Sequence, residues 1–340
     1  MHAMKRRSFL TSSSLSGLAI TQGLSIGAFH APARADEQEQ RLGDLLIHRP
    51  ESDHYEVRFT PGRDRALRLL QITDTHFYPG PATDRTAAVI RGIVAAEKPD
   101  LVIHTGDFVN NDSFGQVEWK ALEIMNDLSV PWTLCFGNHD YPVKQGEGSL
   151  ALEAISGRIG HGLQGHVDAP TGRHYCFRYD LLPGDGVKPA ASLFFFQVGY
   201  AAGDRKISVP QLEWFDRQIA ADEDREVDAP ITVFVHIPLI EHHKLFERGP
   251  VDGEKAENVC YDSDTGESFK RFAGSNRVVG VFCGHDHVNN YHGDWEGVDL
   301  VYGRVTGWGA YGPPAWQRGA RLIELDLAAP RPLPRHREVF

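Results

Sequence analysis

The sequence predicts an α/β fold, and two observations carry this prediction. In the first half of the chain, short apolar runs alternate with longer segments whose apolar residues recur at helical spacing. Polar residues follow each apolar run directly, and ligands of α/β sheets bind at the carboxyl ends of strands. The pattern therefore predicts a β-α-β-α-β arrangement with a binding site along one edge of the sheet.

The first half contains five predicted elements. Thr83 and Asp84 can cap the first helix, and Pro99 with Asp100 ends it. The apolar runs are too short for helices and are bounded by polar or glycine residues, which favours strands. The elements are a strand at 66–72, a helix from 83 to about 98, a strand at 101–104, a helix at 116–128 and a strand at 132–136.

The second half is less regular. Ser208 and Gln211 have the spacing of a capping box that opens a helix through about Ala220. Residues 241–267 have no clear period and much charge, so we expect a lid near the site. The predicted strands are 173–180 and 192–199, which we expect to be antiparallel, then 230–235, 277–283, 288–292, 299–302 and 320–326.

The two ends of the chain differ from its middle. Residues 5–10 read Lys-Arg-Arg-Ser-Phe-Leu, and a mildly apolar stretch and a small-residue end follow, which resembles a twin-arginine export signal. We therefore expect the twin-arginine export machinery as a partner and a periplasmic or secreted location. The predicted division is an export signal at 1–35, a polar and irregular N-terminal extension at 36–66, a catalytic domain at 67–327 and an extended Pro/Arg-rich tail at 328–340.

Charge and cysteine content narrow the function classes. The net charge is −11, which disfavours a non-specific nucleic-acid binder. No apolar run has the length of a stable membrane span. The four cysteines lack the spacing of a zinc site, and a disulfide between Cys176 and Cys260 stays open.

The polar residues behind the strands form a metal-binding pattern. His285 and His287 alternate, so they share one face of an extended backbone. Carboxylate, imidazole and amide oxygen together suit Fe, Mn or Zn. Seven candidate ligands are too many for one catalytic ion and suit two, which can clamp a phosphoryl group and hold a hydroxide between them. The candidate ligands are Asp74, His76, Asp107, Asn138, His236, His285 and His287, with Asp107 as the bridge.

These blocks, in this order and approximate spacing, resemble the calcineurin-like metallophosphoesterases. The resemblance spans about 67 to 326 and implies a four-layer α-β-β-α sandwich of two mixed β-sheets flanked by helices. It implies that one metal ion takes Asp74, His76, Asp107 and His287, and that the other takes Asp107, Asn138, His236 and His285. His139 matches the family histidine that faces the substrate phosphate and assists the leaving group, so His139 and Asp107 are the expected catalytic residues.

A nearer resemblance is to the intracellular-type relatives of purple acid phosphatases, through 234–239, 284–290 and 309–312. Purple acid phosphatases carry a metal-ligating tyrosine three residues after the Gly-Asp aspartate. Here that position is Asn110. We therefore expect no tyrosinate-to-iron absorption band, and the identity of the two metal ions stays open among Fe, Mn and Zn.

The expected function is hydrolysis of small phosphate monoesters by an exported enzyme with a dinuclear metal centre. The resemblance implies attack by a metal-bridging hydroxide with help from His139. The alternatives are a phosphodiesterase that acts on nucleotide or lipid head-group diesters and a non-catalytic metal-binding scaffold.

Several further residues have two readings. His104 is expected to be a hydrogen-bonded strand histidine, and Asp140 and Asp286 are expected to support the site from behind the ligands. His242 and His243 line a phosphate pocket or lie on a surface loop. Tyr311, Trp308 and Trp316 wall the pocket or pack elsewhere, and Asp222 begins a charged run expected to be a solvated helix end.

Overall fold

Strands at both ends of the described part of the chain pair with strands from its middle. The computed structural model describes residues 40–42, 45–51, 53–59, 66–110, 113, 116–140, 176–184, 186–198 and 205–340, so the predicted export signal lies outside the described residues. The strands are β1 (Gln40–Leu42), β2 (Leu45–Glu51), β3 (His54–Phe59), β4 (Leu67–Ile72), β5 (Leu101–His104), β6 (Trp132–Leu134), β7 (Cys176–Leu182), β8 (Ala191–Phe196), β9 (Ile231–Val235), β10 (Val278–Cys283), β11 (His292–Trp295), β12 (Val298–Tyr302), β13 (Ala320–Leu325) and β14 (Arg335–Val339). The helices within these ranges are α1 (Pro81–Glu97), α2 (Glu118–Asn126), α3 (Val209–Asp224), α4 (Ile240–Arg248) and α5 (Glu267–Gly274).

Two mixed sheets carry the fold. Among the described residues the smaller sheet has the order β14-β13-β4-β5-β6 and the larger β1-β2-β3-β7-β8-β9-β10-β12-β11. The strands β4, β5 and β6 are parallel, and β8, β9, β10 and β12 are parallel in the larger sheet. The pair β7 and β8 is antiparallel, as predicted. The α/β prediction and the prediction of two sheets flanked by helices are confirmed.

Strand alternation produces the layers. Leu69 on β4 packs between the sheets with Phe195 and Phe234 of the larger sheet. Its neighbour Leu70 points the other way and packs with α1 through Ile90, because successive side chains of a strand face opposite sides. A third apolar cluster joins the outer face of the larger sheet to α3, α4 and α5. The order is therefore helices, sheet, sheet, helices.

The observed N-termini of α1 and α3 test the caps that the sequence predicted for these helices. Helix α1 begins at Pro81 after Gly80, and not at the predicted Thr83 cap. The Thr83 hydroxyl instead donates to the carbonyl of Tyr78 at 2.7 Å, and proline fits the first helical turn because it needs no N–H partner there. Helix α3 follows Ser208 as predicted, and the Gln211 side chain accepts the Ser208 N–H at 2.8 Å.

The prediction that 36–66 is irregular was wrong. Strands β1, β2 and β3 extend the larger sheet, and β3 pairs in parallel with β7. Leu45, Ile47 and Val57 are buried at alternating positions among charged residues. Such short, half-polar strands look like loops in the sequence, and only their pairing stabilises them. The tail is extended as expected, since β14 pairs with β13, while the proposed domain boundaries stay predictions.

One helix in the second half was not predicted, and one predicted strand was wrong. Helix α4 occupies the start of 241–267, where no helical period was visible, and the expected lid stays a prediction. The predicted strand at 288–292 is a turn and loop, and β11 begins only at His292. Cys176 and Cys260 are both free thiols, the first buried and the second exposed. The disulfide that the sequence left undecided is therefore not formed. In the described part, no helix has the length and apolar character needed to cross a membrane.

Asp222 is not part of a solvated helix end. It is fully buried at the end of α3 and accepts hydrogen bonds from Arg178 (3.1 and 3.0 Å) and Arg277 (2.9 Å). Arg178 on β7 is also buried and binds Asp180. This network ties α3 to the larger sheet, and a buried ion pair that loses one partner leaves an uncompensated charge.

We predict that Asp222→Ala lowers the free energy of unfolding by about 3–5 kcal/mol, because two buried guanidinium groups lose their carboxylate. Urea unfolding of the full chain measures this. The control is Asp224→Ala, two residues along the same helix and exposed, for which a change within about 0.5 kcal/mol is expected. Equal, small effects of both substitutions would contradict the structural role of Asp222.

Candidate metal centre

The carboxyl ends of five strands meet at one place. Strands β4, β5 and β6 of the smaller sheet and β9 and β10 of the larger sheet each lead directly into candidate ligands. Backbone hydrogen bonds join the loops, since the N–H of Asp74 donates to Gly106 O at 3.0 Å and that of Gly284 to His236 O at 2.9 Å. Both sheets therefore contribute side chains to one buried cluster.

The first ligand group consists of Asp74, His76, Asp107 and His287. Nε2 of His76 lies 3.2 Å from Nε2 of His287 and 3.4 Å from Oδ2 of Asp107. Oδ1 of Asp74 lies 3.3 Å from Nε2 of His287. Donor atoms about 2.0–2.2 Å from one ion are spaced like this, so the four side chains suit a common cation.

The second group shares Asp107 with the first. Oδ2 of Asp107 lies 3.2 Å from Nε2 of His236, which is 3.3 Å from Nδ1 of His285. Asn138 leaves the end of β6 and is buried at the same edge. One carboxylate oxygen thus stands between two sets of donors, as a bridging ligand requires.

Unpaired atoms test whether cations fit. Among the described residues, Oδ1 of Asp74 and Oδ1 of Asn138 are buried and take part in no hydrogen bond. A buried acceptor without a partner costs free energy, and a buried carboxylate needs a positive partner. The donor set is also right for Fe, Mn or Zn. The residues therefore fit a pair of metal ions, with two ligand groups that share Asp107.

Groups behind the ligands fix the imidazole tautomers. Thr105 O accepts a hydrogen bond from Nδ1 of His236 at 2.8 Å, and Oδ1 of Asn110 lies 2.5 Å from Nδ1 of His76. Because an oxygen can only accept, both rings carry a proton on Nδ1 and turn Nε2 toward the cluster. The residue that replaces the tyrosine of purple acid phosphatases thus orients His76.

Asp140 and Asp286 support the centre as expected. Asp140 accepts the backbone N–H groups of Asp107 (2.9 Å), Phe108 (2.7 Å) and Gly137 (2.8 Å). Asp286 accepts from the hydroxyl of Tyr302 at 2.6 Å. Burial raises the pKa of Asp140 to about 7, and the neighbouring Asp107 charge adds to this shift. The clamp made by Asp140 holds the loop that presents the bridging carboxylate.

The ligands sit on a strained backbone. Asp74, His76, Asp107 and His285 have φ values of 52°, 42°, 55° and 75°, in the left-handed region that L residues rarely adopt. Such strain persists where the surroundings enforce it, and it concentrates at functional sites. At Gly137 a Cβ atom would collide with Oδ1 of Asp107, so a side chain cannot be accommodated there.

Opposite charges inside the cluster shift the pKa values in opposite directions. Burial by itself raises the pKa of Asp107, but the charges and hydrogen bonds of His236 and His76 together outweigh it and hold that pKa well below its ordinary value. Burial lowers the pKa of His236, but Asp107 overcomes this and raises it to about 9. Burial together with the charge of His236 lowers the pKa of His285 to about 3. The carboxylate is thus held ionised, as a ligand must be.

His139 stands beside the ligands and outside both groups. Its ring centroid lies 4.9 Å from that of His76, and its backbone N–H donates to Oδ1 of Asp107 at 2.8 Å. Nδ1 of His139 has no hydrogen-bond partner among the described residues. Burial lowers the pKa of its imidazole. Among the described residues, Nδ1 of this ring is therefore free to interact with a bound group.

The structure shows the surroundings of the three histidines for which the sequence left two interpretations. His104 is buried and lies 2.9 Å from the hydroxyl of Thr75, as expected of a hydrogen-bonded strand histidine. His242 is fully buried in α4 against Cys283, so both of its readings were wrong. His243 lies near Glu247 on the same helix, 3.3 Å away.

The aromatic residues of the 308–316 loop take different positions. Arg85 stacks on Trp308 at 3.5 Å and Arg304 on Trp316 at 4.2 Å, and among the described residues neither indole makes a ring contact or hydrogen bond with a candidate ligand. Tyr311 covers His287 and is anchored by Glu257. No sequence pattern indicated the contact of Glu257 with Tyr311 or that of Asn110 with His76, because the partners are 54 and 34 positions apart.

Comparisons with known proteins support the family resemblance noted in the sequence. The family model described as Calcineurin-like phosphoesterase matches residues 67–289. The chain is 28% identical over 308 residues to the Arabidopsis thaliana protein named "Probable inactive purple acid phosphatase 29", which covers 77% of each chain. It is 27% identical to "Phosphatase DCR2" of Saccharomyces cerevisiae over 66% of this chain and 44% of that protein.

A solved structure supports the fold. The dimetal phosphatase from Danio rerio superposes with a TM-score of 0.55 at 14% identity, over 77% of this chain and 96% of that one. The family match covers well over half of the chain and includes every candidate ligand. This chain belongs to the calcineurin-like phosphoesterase family.

Proposed function

We propose that this protein hydrolyses phosphate monoesters with two metal ions. Asp74, His76, Asp107 and His287 would hold one ion, and Asp107, Asn138, His236 and His285 the other. The observation that carries the proposal is the single oxygen of Asp107, Oδ2, which lies 3.4 Å from His76 and 3.2 Å from His236. When bound, two such ions neutralise phosphate oxygens and lower the pKa of an attacking water.

The protein groups divide the remaining work. The buried Asn138, whose Oδ1 is unpaired, binds an ion and leaves its amide N–H groups to orient the phosphate. The imidazole of His139 lies beside His76 with Nδ1 unpaired and assists departure of the alcohol. Asp140 accepts the backbone N–H groups of Asp107 and Gly137 and so holds the two loops that contain them. The ligands therefore need little rearrangement when a substrate binds.

A non-catalytic scaffold is the second candidate, and the word "inactive" in the names of the Arabidopsis relatives favours it. One feature supports catalysis instead. Both functions would require the ligands that two ions need, but the imidazole of His139 stands beside the cluster with Nδ1 unpaired among the described residues. A scaffold has no use for such a group.

We further propose that the protein is exported through a twin-arginine signal in residues 1–35. The basis is the sequence Lys-Arg-Arg-Ser-Phe-Leu at 5–10. Fractionation of cells that express the full chain and an Arg6→Lys, Arg7→Lys variant tests this. Equal amounts of both proteins outside the cytoplasm would refute it.

The first prediction concerns the bridge. Wild-type protein should bind about two metal ions per chain and hydrolyse p-nitrophenyl phosphate faster than bis-p-nitrophenyl phosphate. Asp107→Ala should lose metal and activity together, because each group loses a ligand. Elemental analysis and both assays on one preparation measure this, with the exposed Asp84→Ala as the control. Metal retention with full activity in Asp107→Ala would sink the bridging assignment, and a preference for the diester would make the protein a phosphodiesterase.

The second prediction uses the space beside Asp107. Gly137→Ala should weaken metal binding at least about tenfold, because the new methyl group displaces the carboxylate. Titration of the metal-free protein with Mn²⁺ or Zn²⁺ measures the affinity. Gly92→Ala is the matched control, since a Cβ atom there meets no other atom within 4 Å. Unchanged affinity in Gly137→Ala would show that Asp107 does not bind the ions in this conformation.

The third prediction separates chemistry from metal binding. His139→Ala should retain both ions and lower kcat by roughly 10²- to 10⁴-fold, with the larger loss on the poorer leaving group. The measurement compares phenyl phosphate with p-nitrophenyl phosphate and records metal content. Loss of metal in this variant would mean that His139 is a ligand.

A further inference from the structure

Tyr311 is an exposed aromatic residue at a site whose candidate ligands are buried or partly buried. It is 57% exposed, whereas Asp107 is 1% and His287 4% exposed. Single exposed aromatic residues are common on protein surfaces and need no explanation by themselves. This one differs because of what its ring touches and how firmly it is held.

The ring lies over a candidate metal ligand. The centroids of Tyr311 and His287 are 3.9 Å apart, with 31° between the planes. Tyr311 ends a row of four rings that continues through His287 and His76 to His139, with the two further centroid spacings both 4.9 Å. Because Nε2 of His287 faces the metal position, a group bound there lies close to the tyrosine ring. Tyr311 and His139 are thus the two ends of one row of rings that passes through two candidate ligands.

The ring is fixed before any ligand arrives. Its hydroxyl donates to Oε2 of Glu257 at 2.5 Å, and Oε1 of Glu257 accepts the backbone N–H of Val288 at 2.8 Å. From behind, Nη2 of the buried Arg318 donates to the carbonyl oxygens of Ala310 (2.9 Å) and Tyr311 (3.3 Å). A contact surface held in this way loses little conformational freedom on binding.

The same contacts limit what Tyr311 can offer. Its hydroxyl proton is directed to Glu257, so it is not available to a phosphate oxygen. The carboxylate of Glu257 beside the ring also disfavours a second anionic group on the substrate at this point. What remains accessible is the flat face and edge of an aromatic ring, which favour another aromatic ring over a saturated one.

We propose that Tyr311 is a specificity-determining residue that selects monoesters whose organic part carries a flat, uncharged aromatic group. The inference rests on the proposed function for the position of the phosphate, and it adds the class of substrate. The aromatic group can come from a benzyl-type or aryl ester or from a nucleoside, and both present the same stacking surface.

The test does not depend on turnover. Benzylphosphonate and cyclohexylmethylphosphonate have the same charge and similar size, and only one is aromatic. Calorimetry on the metal-loaded full chain should show tighter binding of benzylphosphonate by about three- to tenfold. Tyr311→Leu should bring the ratio of the two Kd values to about one, and Tyr311→Phe should keep it. Phe246→Leu, which removes another exposed ring that packs on Tyr291, should leave the ratio unchanged.

Turnover then separates this inference from the proposed function. Benzyl phosphate and cyclohexylmethyl phosphate, and in a second arm adenosine 5′-phosphate and ribose 5-phosphate, are compared by kcat/KM. A preference in the first arm alone identifies a benzyl or aryl ester, and a preference in the second alone identifies a nucleotide. If the protein prefers benzylphosphonate in binding but hydrolyses none of these esters, the proposed function is refuted. The role of Tyr311 in binding an aromatic group is then retained.

Three outcomes overturn the inference while the proposed function stands. They are equal Kd values for the two phosphonates in the wild type, a preference that survives in Tyr311→Leu, and a preference already lost in Tyr311→Phe, which would assign it to the hydroxyl. Metal content is measured for each variant. Binding of neither phosphonate by protein that holds two ions would overturn the inference and the phosphate site together.

Discussion

The rest of the site depends on one carboxylate that serves two groups of ligands. Asp107 follows β5, the strand between β4 and β6 in the smaller sheet, while His236 and His285 come from β9 and β10 of the larger sheet. For Oδ2 to lie within 3.4 Å of both His76 and His236, the carboxyl ends of the two sheets must meet at one point. The packing of Leu69 against Phe195 and Phe234 in the core between the sheets fixes that meeting point.

The buried charges of the candidate ligands are stabilised by groups that are not themselves candidate ligands. Asp140 binds the backbone N–H groups of the Asp107 and Gly137 loops, and Thr105 and Asn110 set the tautomers of His236 and His76. The left-handed backbone at four ligands is the local cost of aiming side chains from different strands at one centre. The apolar clusters on both faces of each sheet hold the strands that impose it.

The metal centre and its rim, which is formed by Glu257 and Tyr311, are held by different parts of the fold. The candidate ligands leave the ends of buried strands, where the backbone is fixed by the sheets. The rim is carried by loops, through Glu257 and Tyr311, which are 54 positions apart and meet in one hydrogen bond. Rigid strand ends suit a reaction common to a family, while loops can change without disturbing the sheets. Substrate choice is therefore expected to reside in the rim.

The sequence by itself determined the elements near the site and the residues that meet there. Period-2 and period-3.6 patterns located β4, α1, β5, α2 and β6 to within a few residues, and ligand-type residues after the strands marked the edge that matters. These signals are local, so they can be read without the fold. Tertiary structure alone decided that 40–59 adds three strands, that Asp222 is buried between two arginines, and that Asn110, Glu257 and Tyr311 contact ligands or each other. Each of these depends on partners distant in the chain, and the free energy that selects them arises only when the sheets and loops pack together.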